Sequence, residues 1–187
     1  FEDNVIAEMR GRVNDEGHSP FWDAVGQKFM NIDFVQADYL QMKSRKFIDE
    51  LLPKYPILVD LLPKEAQDVV AQVHPNTEPA KRILEQEGFQ FNGLVGIFEP
   101  GPVLEAPLDE VRALKESKVL EVGEIVDADF ESDVFIISNS GKIDFKACLG
   151  KLKVLDNGKA QISAVTATAL KLRFGERLRY VSLKAKS

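Results

Sequence analysis

The sequence predicts an α+β chain in two parts. Residues 1–107 mix strands and helices, and residues 108–187 form a small β-rich, barrel-like domain. Three observations carry this reading. Up to Pro107, apolar runs of strand length alternate with stretches whose apolar residues recur every three or four positions. Pro100, Gly101, Pro102 and Pro107 then punctuate the chain. Beyond them, short strand-like segments are separated by Ser-Gly and Asn-Gly turn signals, at a spacing that suits a small barrel or a curled sheet.

Taken in order, "NVIAEM" is a short, largely apolar strand bounded by Gly11. "DEGHSPFWDAVGQKFM" reads as a turn and then a helix, with Ser19 as N-cap and Pro20 at the first helical position. Phe21, Ala24, Val25 and Phe29 fall on one face of that helix. "FVQADYLQM" and "SRKFIDELLPKY" are further helices, the second stopped by Pro53. "PILVDLL" is a strand, and "PKEAQDVVAQV" is a helix opening with Pro63. In "HPNTEPAKRILEQEGF", Asn76 or Thr77 caps a helix whose first turn holds Glu78 and Pro79. Ala80, Ile83 and Leu84 are its expected buried stripe, and Gly88 takes the left-handed position at its end, with Phe89 packing back on Leu84. "FQFNGLVGIFE" is the next strand. In the second part, "VRALKESKVLEVGEI", "DVFIISNSG", "KIDFKACLGKLKVL", "DNGKAQISAV" and "RLRYVSLKAK" read as strands, with one short helix around 167–172.

Composition narrows the function. An apolar fraction of 44% is enough for an ordinary core, and the longest apolar runs are too short for a membrane span. A net charge of -6 argues against a nucleic-acid surface. The basic stretch "KLRFGERLRYVSLKAKS" carries only Phe174 and Tyr180 as stacking aromatics. The single cysteine, Cys148, allows no intramolecular disulfide and points to a reducing, cytoplasmic setting. It lies in an alternating apolar segment, where packing is expected rather than catalysis. One cysteine and two histidines cannot build the usual zinc sites, so no metal is expected. The N-terminus has neither an initiator Met nor the basic and apolar segments of a signal peptide, and reads as a chain entering mid-fold.

Of the two histidines, His18 lies in a polar turn and reads as solvated. His74 precedes a proline, which holds it extended and aims its ring away from a helix axis. Such a ring either moves protons near neutral pH or makes a hydrogen bond at the start of the helix. Glu8 and Arg10 are two apart on one strand face, placed either to bind a ligand or to pair with neighbours. Trp22 reads as core.

Longer strings are more specific. "AEMRG", "SPFW", "NIDF" followed by "ADYL", "KFIDELLPKYPI", "EAQDVVAQVHPNTEPA", "LEQEGF" and "IFEPGP" occur in this order. Together they resemble the arginine N-succinyltransferase family, over residues 5–107 and more loosely beyond. The units "NVIAEMRG" with "SPFWDAVGQKFM", and "NTEPAKRILEQEGFQFNGLVGIFE", are similar to parts of a GNAT-type N-acyltransferase. The resemblance therefore implies a GNAT-like acyltransferase portion. It implies transfer of succinyl from succinyl-CoA to the α-amine of L-arginine, giving N2-succinyl-L-arginine and CoA. That is the first step of an arginine-degradation route. Succinyl-CoA is then a co-substrate, with no permanently bound cofactor. Some relatives also accept ornithine and work as paired subunits, so a homo- or hetero-oligomer is expected.

His74 matches the family's "VHP" histidine, which serves there as proton donor. By the same resemblance Glu8 is placed to bind the substrate guanidinium and Arg10 a carboxylate of succinyl or arginine. Asn76 is either a substrate ligand or a cap. Asp15, Glu16 and Asp23 are further acidic candidates that read as solvated. In the family, a Gly-rich loop opening a helix and carrying the acyl-CoA contacts precedes the strand at Val5. No such loop occurs here, so the acyl-CoA contacts are expected upstream and the chain reads as the C-terminal portion of the enzyme. The rival reading is a non-catalytic subunit or binding module on the same scaffold.

Overall fold

The computed structural model describes residues 3–28, 31–43 and 57–183. Backbone contacts divide the chain into two units, Phe1–Pro107 and Leu108–Ser187.

The first unit is built on a three-stranded antiparallel sheet of order β1-β3-β2, where β1 is Asn4–Glu8, β2 is Gln90–Val95 and β3 is Pro102–Pro107. The central strand, β3, is the one the sequence hides, because prolines stand at both of its ends. Proline is tolerated at the first position of a strand, where its missing N–H interrupts no ladder. Pro102 sits there, and its carbonyl accepts the Met9 N–H at 3.0 Å. Between the prolines the pattern alternates as a strand should, with Leu104 and Ala106 buried and Val103 and Glu105 half-buried. The Asn4 and Asn92 side-chain amides, one from each outer strand, both donate to the Glu105 carboxylate. The bonds from Asn92 and Asn4 hold that carboxyl below its ordinary range.

Ser19 caps the first helix, α1 (Pro20–Trp22), by accepting the Trp22 N–H at 3.2 Å, and Pro20 leads it. The helix continues as a π-turn over Asp23–Gln27. Phe21, Ala24 and Val25 are buried as their spacing predicts, and Trp22 is core. Phe29 and the expected helix of "SRKFIDELLPKY" lie outside the described residues. Helix α2 is Phe34–Lys43.

Several expectations are corrected. "PILVDLL" is not a strand where it is described. Val59–Leu61 is a 3₁₀ turn, because Leu61 and Leu62 donate back to Leu58 and Val59 and leave no groups for a ladder. The helix after Pro63, α3, ends at Asp68. Tertiary bonds capture the rest of that segment: Ala71 turns left-handed at φ 59° and donates to the Pro100 carbonyl at 2.8 Å, and Val73 bridges to Gly11.

Helix α4 (Glu78–Gln86) shows no buried stripe. Ala80 is exposed, Ile83 is 61% exposed and Leu84 is half-buried. The helix is held by its ends and by the pairs Lys81–Glu85 and Arg82–Glu78. Its C-terminus closes as expected: Gly88 at φ 101° lets its own N–H reach the Glu85 carbonyl and the Phe89 N–H reach Leu84.

The second unit is a closed five-stranded barrel of order β4-β7-β6-β5-β8. Its strands are β4 (Lys118–Val126), β5 (Val134–Asn139), β6 (Ala147–Val154), β7 (Ala160–Ser163) and β8 (Arg177–Ser182). All pairings are antiparallel except β4 with β7. Val122, Ile137, Ile162, Leu170 and Leu178 fill the interior. Here too boundaries shift. "VRALK" is a helical turn, α5 (Arg112–Lys115), rather than the start of a strand. Ile143 and Phe145 are exposed ahead of β6. The last helix, α6, is Ala164–Leu170, three residues earlier than its apolar residues suggest, because Ser163 caps it by accepting the Thr166 N–H.

Candidate functional site

The end of β1 sets the site. Glu8 and Arg10 flank buried Met9 and line one side of a cleft of about 580 Å³. Strand pairing stops at Glu8, yet both side chains stay on the cleft side, as their two-residue spacing predicts. The other walls are Phe34 and Asp38 of α2 and the β2–β3 loop at Gly96–Glu99.

That loop is braced from beneath. Ser19, fully buried, donates its hydroxyl to the Phe98 carbonyl at 2.5 Å while capping α1. The Trp22 ring meets Phe98 edge-on at 4.8 Å, and its indole N–H donates to the Ile32 carbonyl at 3.0 Å. The apolar face of α1 thus fixes the carboxylate that follows Phe98.

Four charged groups line the cleft: the carboxylates of Glu8, Asp38 and Glu99, and the guanidinium of Arg10. Glu8 and Asp38 are exposed and have no ion pair among the described residues. The Glu99 side chain is only 18% exposed, with Arg10 Nε 3.5 Å from its Oε2. Burial raises the Glu99 carboxyl above its ordinary value, and the charge of Arg10 only partly offsets this. The Asp38 charge adds to the rise. The cleft is acidic, and Glu99 is its most desolvated carboxylate.

His74 does not line the cleft; its backbone is tied to that of Arg10. Its backbone N–H donates to the Arg10 carbonyl at 2.8 Å, beside the Gly11–Val73 bridge. Its ring is the cap of a 3₁₀ turn, Pro75–Thr77, that leads into α4: Nδ1 accepts the Asn76 N–H at 3.1 Å. With Nδ1 used as an acceptor, the proton of the neutral imidazole is on Nε2. The capping expectation is corrected accordingly. Neither Asn76 nor Thr77 caps through its side chain; Asn76 contributes its backbone N–H, and the Thr77 hydroxyl donates to the His74 carbonyl at 3.0 Å. The Asn76 side chain is exposed and outside the cleft.

The strand end, the His74 loop and the cleft loop meet where two glycines touch. A Cβ on Gly101 would stand 2.1 Å from the Met9 carbonyl oxygen, and one on Gly11 would stand 2.6 Å from the Gly101 nitrogen. No side chain fits at either position.

The remaining candidates lie elsewhere. His18, Asp15 and Glu16 are exposed in their turn, and Asp23 belongs to the π-turn. Cys148 is half-buried against the barrel core, where burial pushes its thiol up. Among the described residues no three His, Cys, Asp or Glu side chains are grouped to hold a metal, and no helix is long and apolar enough to cross a membrane. Sequence reasoning missed Asp38 and Glu99. Asp38 looks like any exposed helical acid, whereas Glu99 carries a signal: a carboxylate between a strand and a Pro-Gly-Pro turn.

Comparison with known proteins gives consistent results. The family described as arginine N-succinyltransferase beta subunit matches residues 1–113. The arginine N-succinyltransferase of Shigella boydii serotype 18 is 41% identical over 99% of this chain and 54% of its own length. That of Escherichia fergusonii is 41% identical over the same shares. Subunit AI of the arginine/ornithine succinyltransferase of Pseudomonas aeruginosa superposes with a TM-score of 0.83 at 31% identity, over 99% of this chain and 52% of that one. The chain spans about half the length of the curated relatives it matches. With residues 1–113 of its 187 matched, the chain belongs to the arginine N-succinyltransferase beta subunit family.

Proposed function

We propose that the full-length protein transfers succinyl from succinyl-CoA to the α-amine of L-arginine, giving N2-succinyl-L-arginine and CoA, as the first step of arginine degradation in the cytoplasm. The observation that carries this reading is the cleft of a chain in this family: three carboxylates and one guanidinium line it, beside a histidine loop. An amino acid with a cationic side chain suits such a cleft. In this proposal Glu8 receives the guanidinium, and Arg10 receives a carboxylate of arginine or of the succinyl group. Asn76 acts through its N–H on His74 rather than on the substrate.

Aminolysis of a thioester needs a neutral amine, a donor for the oxyanion and a proton for the departing sulfur. His74, with its proton on Nε2, is the donor. Residues 1–107 act as a GNAT-like acyltransferase portion and residues 108–187 as a separate domain. Succinyl-CoA is a co-substrate, no metal takes part, ornithine is a second amine substrate, and the working protein is an oligomer.

The test is turnover by the full-length protein supplied with arginine and succinyl-CoA. CoA release is followed by a thiol reagent and the product by mass spectrometry. Stoichiometric CoA and N2-succinyl-L-arginine are expected. Absence of both products under saturating substrates overturns the reading in favour of a non-catalytic subunit.

A further inference from the structure

We propose that Glu99 is the proton acceptor of the cleft, taking the proton from the substrate's α-ammonium so that the amine can attack the thioester. This rests on the function proposed above and assigns the step it leaves open.

Arg10 is a permanent cation and accepts no proton. The His74 Nδ1 lone pair is engaged by the Asn76 N–H at 3.1 Å, so the neutral ring presents a donor and no vacant acceptor. Glu8 and Asp38 stand exposed, where a solvated guanidinium reaches them. Glu99 alone both lines the cleft and is largely withdrawn from water, at 18% exposure. It is also the best-held of the three. The Phe98 carbonyl before it accepts the buried Ser19 hydroxyl, and its own carbonyl accepts the Gly101 N–H at 2.5 Å. A group that must meet a reacting nitrogen within hydrogen-bond reach gains from such a frame.

Its surroundings set the chemistry. Arg10 faces Glu99 from the end of β1, with Glu8 lining the same side of the cleft; Asp38 lines it from α2, and His74 lies in the loop before α4, outside the lining. Burial is the largest influence and favours the protonated carboxyl, as does the charge of Asp38, while Arg10 opposes it. A carboxylate so placed is a stronger base than one in water.

The step balances. The ammonium and the Glu99 carboxylate give a neutral amine and a carboxylic acid. The amine lone pair forms the C–N bond at the thioester carbon, and the carbonyl electrons move to oxygen. Collapse breaks the C–S bond as His74 Nε2–H gives its proton to the departing sulfur. The second proton shed by nitrogen passes through solvent to restore Nε2–H, and Glu99 returns its own proton to water. One amide, one thiol and one proton result.

The test compares wild type, Glu99→Gln and Glu99→Asp in the full-length protein, by kcat/KM for arginine from neutral to alkaline pH. Glu99→Gln is expected to lose about 10²- to 10⁴-fold near neutral pH, the range for removing a general base. The deficit should shrink as pH rises, because solution then supplies the free amine. It should shrink likewise with arginine methyl ester, whose amine is less basic. Glu99→Asp should recover part of the rate, and KM for succinyl-CoA should hold. A deficit that stays constant with pH assigns Glu99 to binding or bracing and overturns the proposal, as does full turnover by Glu99→Gln. Wild-type protein that transfers no succinyl overturns the functional reading itself, so the two failures are distinct.

Discussion

His74 has two separable jobs in this structure, and substitution can divide them. Its Nδ1 accepts the Asn76 N–H at 3.1 Å and so starts the turn that leads into α4. Its Nε2 keeps the proton that the proposed reaction uses. His74→Ala removes both. Loss of a side-chain cap costs about 1 kcal/mol, within a range of about 0.5–2. In a protein of roughly 150–250 residues or more, each such kcal/mol lowers the melting temperature by about 2–4 °C. His74→Asn keeps a short side-chain acceptor that reaches the N–H two residues on, as asparagine does at natural caps. It offers no ring Nε2.

Calorimetry on the full-length protein should therefore rank wild type and His74→Asn together, with His74→Ala lower. Steady-state turnover should rank His74→Asn with His74→Ala, both about 10²- to 10⁴-fold below wild type. Near-full turnover by His74→Asn would remove Nε2 from the mechanism. An Ala variant as stable as wild type would show that the ring bond contributes nothing to the start of α4.

Other outcomes follow from the same cleft. Glu8→Gln should raise KM for arginine more than KM for succinyl-CoA, and unchanged values for both would make Glu8 structural. Gly101→Ala places a methyl 2.1 Å from the Met9 carbonyl oxygen, a backbone atom that cannot rotate away. The cost of such overpacking is about 1–3 kcal/mol, read as a lower melting temperature, and an unshifted melt would refute the close contact. Glu99→Gln should be at least as stable as wild type at neutral pH. Burial raises the folded carboxyl above the ordinary 4.5, so the ionised form carries the penalty. That penalty is present above the folded value and vanishes as pH falls below 4.5, so the advantage of the Gln variant should fade on acidification. An advantage independent of pH would contradict the assigned cause.

Much of this was legible in the residues. Ser19-Pro20 announced α1, Gly88-Phe89 announced the end of α4, and the turn-separated strands announced the barrel. These are local signals, written in caps, left-handed positions and alternation. What escaped was decided by distant partners. Strand β3 is a strand because β1 and β2 pair with it on either side, which outweighs its terminal prolines. Helix α3 stops early because Ala71 and Val73 find the Pro100 carbonyl and Gly11. The site divides the same way. Glu8, Arg10 and His74 stood out by residue type and spacing. Glu99 became distinctive only once Phe98, Trp22 and Ser19 buried the loop beneath it. The Asn76 side chain was a reasonable cap that the neighbouring ring displaced.

The barrel seam also governs how the second unit can be made. Strand β4 pairs only with β7 and β8, so its partners lie at Ala160–Ser163 and Arg177–Ser182. On a ribosome, which extends the chain from the N-terminus at about 5–20 residues per second, β4 emerges first and waits. Strands β5 and β6 can zip as a hairpin meanwhile. Strand β4 keeps two open edges until nearly the whole unit is out, and an unpaired apolar edge invites the wrong partner. Its charged residues Lys118, Glu121 and Glu124 are placed to discourage that during the wait. Closure then arrives late and all at once, when β8 joins β4 to β5. A nascent chain halted before Arg177 should remain an open sheet that proteases cut readily, whereas one released beyond Ser182 should resist them.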